Sequence, residues 1–135
     1  MEHGKNYLGL DWGATNIGVA LAHNETGVAL PFMTVPNDKN TMAVLSDIIV
    51  SENIGTVIIG MPSYEHQEEK EHPGETLGKL LIEQCSVKVE YQNEMFTTKM
   101  AQANLLEQGI KHSSKNNDEE AARIILEGWL GKRSL

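Results

Sequence analysis

Three short apolar runs joined by tight turns open the chain, and they constrain its fold more than any other feature. Residues Tyr7 to Trp12 and Ile17 to Ala22 flank the turn "GATN", and a second turn, "NETG", leads to the run "VALPFMTVP". Connections this short usually join neighbouring antiparallel strands. The sequence therefore predicts a three-stranded antiparallel meander at the start of the fold.

The middle of the chain alternates between helical and strand patterns. Apolar residues recur at helical spacing over Lys39 to Asn53, and "TVIIG" at 56–60 is a β-branched run typical of a strand buried on both faces. An acidic loop is predicted over Ser63 to Pro73, followed by a helix over Glu75 to Cys85. The alternating run "SVKVEY" then predicts a strand nearer the edge of the sheet.

Two further helices are predicted at the end of the chain. Thr97 can cap a helix that runs to Gln108, and the spacing of Asn117 and Glu120 fits a capping box for a last helix ending near Leu130. The element order βββαβαβαα predicts an α/β domain with a five-stranded mixed sheet. Three strands are expected to be antiparallel and the later ones parallel, with helices on both faces.

Composition limits the classes of function. The chain has 135 residues, of which 40% are apolar, so we expect one domain with its own core. A lone cysteine and the lack of a long apolar segment favour a soluble, cytoplasmic protein. The formal net charge of −8 disfavours general electrostatic attraction to nucleic acid, so a nucleic-acid function would depend on a local site.

Three carboxylates are predicted to meet at one edge of the sheet. Asp11 ends the first strand, and Glu94 follows the last one. The carboxyl ends of parallel strands lie side by side in an open sheet, where ligands usually bind. Asp118 begins the apolar face that its helix shares with Ala122 and Ile125, so it is expected to approach the same edge.

Such a cluster is chemically suited to a divalent cation. Carboxylate oxygens are typical ligands of Mg²⁺ and Mn²⁺, and such ions can promote hydrolysis of a phosphodiester. Each carboxylate also has an ordinary explanation. Asp11 could accept hydrogen bonds from the "GATN" turn, Glu94 could be a surface residue, and Asp118 could stabilise the start of a helix. Their convergence at one edge favours the metal site.

Four segments of the chain together resemble one known family. The segments "LGLDWGATNIGVALAH", "VIIGMP", "EYQNEMFTTKMAQ" and "NNDEEAARIILEGWL" are similar, in this order, to the YqgF/RuvX family. Its members are described as Holliday junction resolvase-like proteins or as nucleases that mature the 5′ end of pre-16S ribosomal RNA. The resemblance implies a ribonuclease-H-like (RNase H-like) fold and a single nuclease domain over residues 1–135.

The resemblance also implies roles for individual residues. Asp11, Glu94 and Asp118 match the acidic positions of the family, so they are expected to bind the metal and to be catalytic. Gly13 and Gly18 match its glycines. The positions expected to contact the nucleic-acid substrate are Gly13, Thr15, Asn16, Thr97, Thr98, Lys111 and Lys115.

The chain departs from the family where positive charge is expected. Thr15-Asn16 stands where relatives usually carry Lys-Arg, and Met95 stands where they carry Arg. Lys111, His112 and Lys115 are what remains of a basic run before the last aspartate. The resemblance therefore implies a substrate-binding surface with fewer basic residues than relatives have. Nucleic-acid binding should be weaker as a result, because each lost phosphate contact lowers the affinity.

Two other functions remain open from the sequence. "DWGATN" also fits the phosphate-binding loop of actin-like sugar kinases, although the chain has one such domain and no second phosphate loop. The missing basic residues would suit a non-catalytic binding domain, whereas the three retained carboxylates argue against it. The protein is expected to be a monomer or a weak homodimer.

Overall fold

The computed structural model describes residues 5–61, 72–93 and 114–133. Its strands are β1 (Asn6–Asp11), β2 (Asn16–Ala22), β3 (Ala29–Pro36), β4 (Ile54–Met61) and β5 (Lys88–Asn93), and its helices are α1 (Thr41–Ser51), α2 (Pro73–Cys85) and α3 (Ser114–Arg133). The predicted helix over 97–108 and most of the predicted acidic loop lie outside these residues.

The five strands form one mixed sheet in the order β3-β2-β1-β4-β5. β1 is antiparallel to β2 and β2 to β3, whereas β4 is parallel to both β1 and β5. The predicted antiparallel meander and the later parallel strands are therefore confirmed. Val57, Ile58 and Ile59 of β4 are fully buried, as the uninterrupted apolar run predicted.

Helices cover both faces of the sheet. On one face α1 and α2 pack against a core that includes Leu10, Val19 and Leu45. On the other face α3 packs against small residues of β2, such as Ala20, and against Ile58. The small side chains let α3 lie close to the sheet, and this closeness brings residues of α3 to the end of β1.

Two predicted helix starts are corrected by the structure. α3 begins at Ser114, so Asn117 lies inside its first turn and is not the cap. Glu120 accepts two hydrogen bonds from Arg123 instead of closing a capping box. α2 begins at Pro73 and not at the predicted Glu75. Its cap is His72, because the His72 Nδ1 accepts a hydrogen bond of 2.8 Å from the Gly74 N–H.

The helices of the described segments are too short or too polar to cross a bilayer.

Candidate active site

Asp11 lies at the carboxyl end of β1, on the face of the sheet that α3 covers. Alternation along the strand produces this direction, because the fully buried Leu8 and Leu10 point to the opposite core. Asp11 is paired with Gly18 of β2 and with Gly60 of β4. Both neighbours lack side chains, so neither adjacent strand places a side chain directly beside the Asp11 carboxylate.

α3 brings Asp118 to the same place. A Cβ atom on Gly18 would overlap the Asp118 carbonyl and would lie 3.1 Å from its Cα, so the helix backbone rests directly on β2. Cross-strand Cβ positions are about 5 Å apart, which places the Asp118 Cα within roughly 9 Å of the Asp11 Cβ. The structure thus brings together two of the three predicted carboxylates.

The electrostatics of Asp118 show that the two carboxylates interact. Burial raises the pKa of Asp118 above its ordinary value, and the negative charges of Asp11 and then Glu119 raise it further. Asp118 is held partly buried because Ala122 and Ile125, on the same face of the helix, are fully buried against the sheet. The predicted amphipathic face of α3 is confirmed.

Glu119 is a charged residue that the sequence interpretation overlooked. It is half-buried, and its Oε2 accepts a hydrogen bond of 3.3 Å from the Thr34 hydroxyl of β3. Thr34 pairs with Gly18, which pairs with Asp11. Glu119 therefore reaches the same row across the sheet, and it adds negative charge next to Asp118.

The residues of the β1–β2 turn surround the end of β1. Gly13 and Thr15 are tied to the loop after β3, because the Asn37 side chain donates to the Gly13 carbonyl at 2.7 Å and the Asn37 N–H donates to the Thr15 carbonyl at 2.9 Å. Thr15 is exposed, and Asn16 is the half-buried first residue of β2. The turn that follows Asp11 is therefore fixed by Asn37.

The other predicted site residues are not described. Glu94, Thr97, Thr98 and Lys111 lie outside the described segments, and Lys115 lies in the first turn of α3 without a described side chain. Within residues 5–61, 72–93 and 114–133, no three His, Cys, Asp or Glu side chains form a metal-binding group. The described part of the site therefore supplies two carboxylates, Asp11 and Asp118.

Those two carboxylates fit a divalent cation chemically. Burial and the negative charge of Asp11 raise the pKa of Asp118. This is expected where carboxylate ligands lie together without the positive charge of a cation. Mg²⁺ in proteins is commonly bound by one or two carboxylates, with water and substrate phosphate as further ligands. A third protein carboxylate is therefore helpful but not required.

Arg123 of α3 forms ion pairs within its own helix. Its guanidinium donates to both carboxylate oxygens of Glu120 and to Glu127 at 2.6 Å. These carboxylates raise the pKa of Arg123 further, chiefly through the hydrogen bonds from Glu120. The spacing of three and four residues could have revealed this arrangement from the sequence.

Comparison with known sequences assigns the chain to a family. The family model described as "RuvX: Holliday junction resolvase" matches residues 5–132. A protein of Orientia tsutsugamushi named "Putative pre-16S rRNA nuclease" is 33% identical over 132 residues, which cover 93% of this chain and 83% of that protein. A protein of the same name from Anaeromyxobacter is 31% identical, with coverage of 94% and 97%.

Solved structures agree on the fold. The Thermus thermophilus RuvC complex with a Holliday junction substrate has a TM-score of 0.61 at 17% identity and covers 96% of each chain. The Fowlpox virus resolvase in complex with Holliday junction DNA also has a TM-score of 0.61, at 13% identity, with coverage of 95% and 98%. The sheet, the helices on both faces and these neighbours confirm the predicted RNase H-like fold. The chain belongs to the RuvX (YqgF) family of Holliday junction resolvase-like proteins.

Proposed function

We propose that this protein is a metal-dependent nuclease that hydrolyses phosphodiester bonds in structured nucleic acid. The observation that carries the proposal is the approach of Asp118 to Asp11 between two glycine neighbours at the end of β1. Glu94, which follows β5 directly, is the proposed third carboxylate. The bound ion would be Mg²⁺ or Mn²⁺.

The carboxylates would work by holding the ion at the carboxyl end of β1. A bound Mg²⁺ or Mn²⁺ supplies a Lewis acid that activates water and stabilises a leaving oxygen. Asp118 must be ionised to take part, so neutral or alkaline pH favours the competent state, because burial and the charge of Asp11 oppose its ionisation. Thr15, which is exposed in the turn after β1, and Asn16, the first residue of β2, are proposed to contact the substrate backbone.

The proposed substrate is the 5′ region of pre-16S ribosomal RNA, and a Holliday-junction-like DNA is the second candidate. The RNA is favoured because relatives with 30–33% identity over almost the whole chain carry the pre-16S rRNA nuclease name. The resolvase structures, at 13–17% identity, support the fold alone. We propose that the protein acts in the cytoplasm, as a monomer or weak homodimer.

The surface that binds the substrate is proposed to make few phosphate contacts. Lys115, three residues before Asp118 in the sequence, and Lys111 remain the candidate phosphate contacts. Arg123 is held by two carboxylates of its own helix. The family assignment favours this nuclease over the phosphotransferase that the "DWGATN" loop also allows. With few phosphate contacts, binding is expected to depend only weakly on salt concentration.

A cleavage assay tests the proposal. An RNA that carries the 5′ precursor segment of 16S rRNA and a four-way DNA junction would each be incubated with protein and Mn²⁺, Mg²⁺ or a chelator. We expect metal-dependent cleavage by the wild type, a loss of at least about 100-fold in Asp11→Asn and Asp118→Asn, and no loss in Glu83→Gln, which removes an exposed charge on α2. Equal cleavage by wild type and Asp11→Asn would refute the proposal.

A further inference from the structure

We infer that Gly18 is a positioning residue of the active site: the absence of a side chain at this position seats the start of α3 so that Asp118 reaches Asp11. This inference rests on the proposed function, because it concerns the assembly of the proposed metal-binding pair. Gly18 itself contacts neither ion nor substrate, and it acts through the backbone of Asp118.

The strand register places Gly18 directly beside Asp11. The two residues are partners in the antiparallel ladder between β1 and β2. Partner residues project to the same face, so a side chain on Gly18 would enter the space next to the Asp11 carboxylate. That space contains the backbone of Asp118 instead.

The contact at Gly18 is made with the main chain of the helix. A Cβ at position 18 would overlap the carbonyl carbon and oxygen of Asp118 and would come within 3.1 Å of its Cα. A flexible side-chain tip could rotate out of such an overlap, but the main-chain carbonyl of Asp118 can give way only if the first turns of α3 move. A methyl group here should therefore displace the start of α3 by on the order of 1 Å, which is the scale of a van der Waals overlap.

A second glycine separates positioning from simple packing. A Cβ on Gly9 of β1 would lie 2.8 Å from the Cβ of Leu126 and 3.1 Å from the Ala122 carbonyl oxygen. Gly9 thus faces the buried middle of α3, whereas Gly18 faces its carboxylate-bearing end. Substitutions at both positions should loosen the same helix, but only the one at Gly18 acts directly on Asp118.

The consequence of a displaced Asp118 is a weaker metal site. Misplacement of a functional group by about 1 Å can reduce a rate 100-fold, and the two carboxylates must face one ion to share it. We expect Gly18→Ala to bind Mn²⁺ at least 10-fold more weakly than the wild type. A longer acid at position 118 should recover part of this loss, because it extends the carboxylate from the displaced backbone.

The test is a titration with Mn²⁺ followed by electron paramagnetic resonance of the free ion, together with a melting curve for each variant. The set contains wild type, Gly18→Ala, Gly9→Ala as the packing control, and Gly131→Ala, where a Cβ meets no atom within 4 Å. Gly18→Ala should lose Mn²⁺ affinity at least 10-fold. Gly9→Ala should be destabilised to a similar degree, but its Mn²⁺ affinity should stay within about 2-fold of the wild type, as should that of Gly131→Ala.

A rescue variant makes the test specific. Asp118→Glu should weaken Mn²⁺ binding in the wild-type background and strengthen it in the Gly18→Ala background. The inference would be overturned if Gly18→Ala bound Mn²⁺ as tightly as the wild type, or if Gly18→Ala and Gly9→Ala lost Mn²⁺ affinity equally. It would also be overturned if Gly18→Ala stayed unfolded even in trimethylamine N-oxide. If the wild type binds Mn²⁺ no better than Asp11→Asn, the proposed function itself fails, which is a different result.

Discussion

Replacing Asp118 with asparagine should change the stability of the protein in opposite directions without and with a divalent metal. Without metal, the substitution removes a partly buried charge that is opposed by burial, by Asp11 and by Glu119. The free energy of unfolding should therefore increase. With saturating Mg²⁺ or Mn²⁺, the same substitution removes a ligand, and the variant should be less stable than the wild type.

The size of the first effect follows from the geometry. Asp118 Cα lies within roughly 9 Å of Asp11 Cβ, and two unit charges about 7 Å apart repel by about 2 kcal/mol at an effective dielectric constant near 20. Solvent exposure and salt reduce this to about 1 kcal/mol. For a chain of 135 residues, such a change raises the melting temperature by about 4 °C.

The size of the second effect follows from linkage. A metal ion at 100 times its dissociation constant stabilises the folded protein by about 2.7 kcal/mol. Asp118→Asn should lose most of this gain, so the order of the two melting temperatures reverses on addition of metal. A substitution that affected only the packing of α3 would change the melting temperature in the same direction with and without metal.

The pH dependence gives an independent check of the sign. The folded state holds the Asp118 proton more tightly than the unfolded chain, because the pKa in the folded state is raised above 3.8. As pH increases from about 3.8 through the raised pKa, the wild type loses stability relative to Asp118→Asn. Below this window both states carry the proton, and the two proteins should be equally stable.

The assay is thermal unfolding followed by circular dichroism, at several pH values, in chelator and in Mn²⁺. Glu83→Gln, an exposed residue of α2, is the control for the change in net charge. It should leave both the metal response and the pH response unchanged. A variant Asp118→Asn that is less stable than wild type in chelator at pH 7 would refute the electrostatic reasoning.

Three further predictions concern residues outside the carboxylate pair. His72→Ala should destabilise the protein by about 1 kcal/mol in a denaturant titration, because the helix cap from His72 Nδ1 to the Gly74 N–H is lost. Trp129→Phe should cost about 2 kcal/mol in the same titration, because it removes the 2.9 Å hydrogen bond from Trp129 to Glu90. It should leave Mn²⁺ affinity unchanged, because Trp129 lies towards the opposite end of α3 from Asp118. Lys115→Gln should lower the slope of log K against log salt for duplex binding by about 0.9, whereas Arg123→Gln should leave it unchanged, as gel-shift titrations can show. A falling slope in Arg123→Gln would mean that its ion pairs open on binding.

Local patterns were sufficient to predict the sheet. Tight turns bounded the strands of the meander, and the uninterrupted run 56–60 indicated a strand covered on both faces, which β4 is. These features depend on residues close together in the sequence, so short stretches of sequence are enough to predict them. The direction of Asp118 was predictable for the same reason, since it follows from the helical period.

Long-range contacts were not accessible in this way. The pairing of Asp11 with both Gly18 and Gly60 depends on strand register, which the sequence of either strand alone does not determine. The start of α3 was misplaced because a favourable cap contributes only about 1 kcal/mol, and the helix extends to Ser114 without it. Glu119 was overlooked because its partner, Thr34, is 85 residues away.

Calorimetric titration of Mn²⁺ into the metal-free protein tests most directly whether Asp11 and Asp118 bind the same metal ion. If Asp11 and Asp118 share one ion, the wild type should bind Mn²⁺ with a measurable heat, and each single asparagine variant should bind at least about 10-fold more weakly. The double variant should be little weaker than either single variant, because the two carboxylates act on the same ion. Binding that survives in Asp11→Asn, or losses that simply add in the double variant, would contradict a shared site.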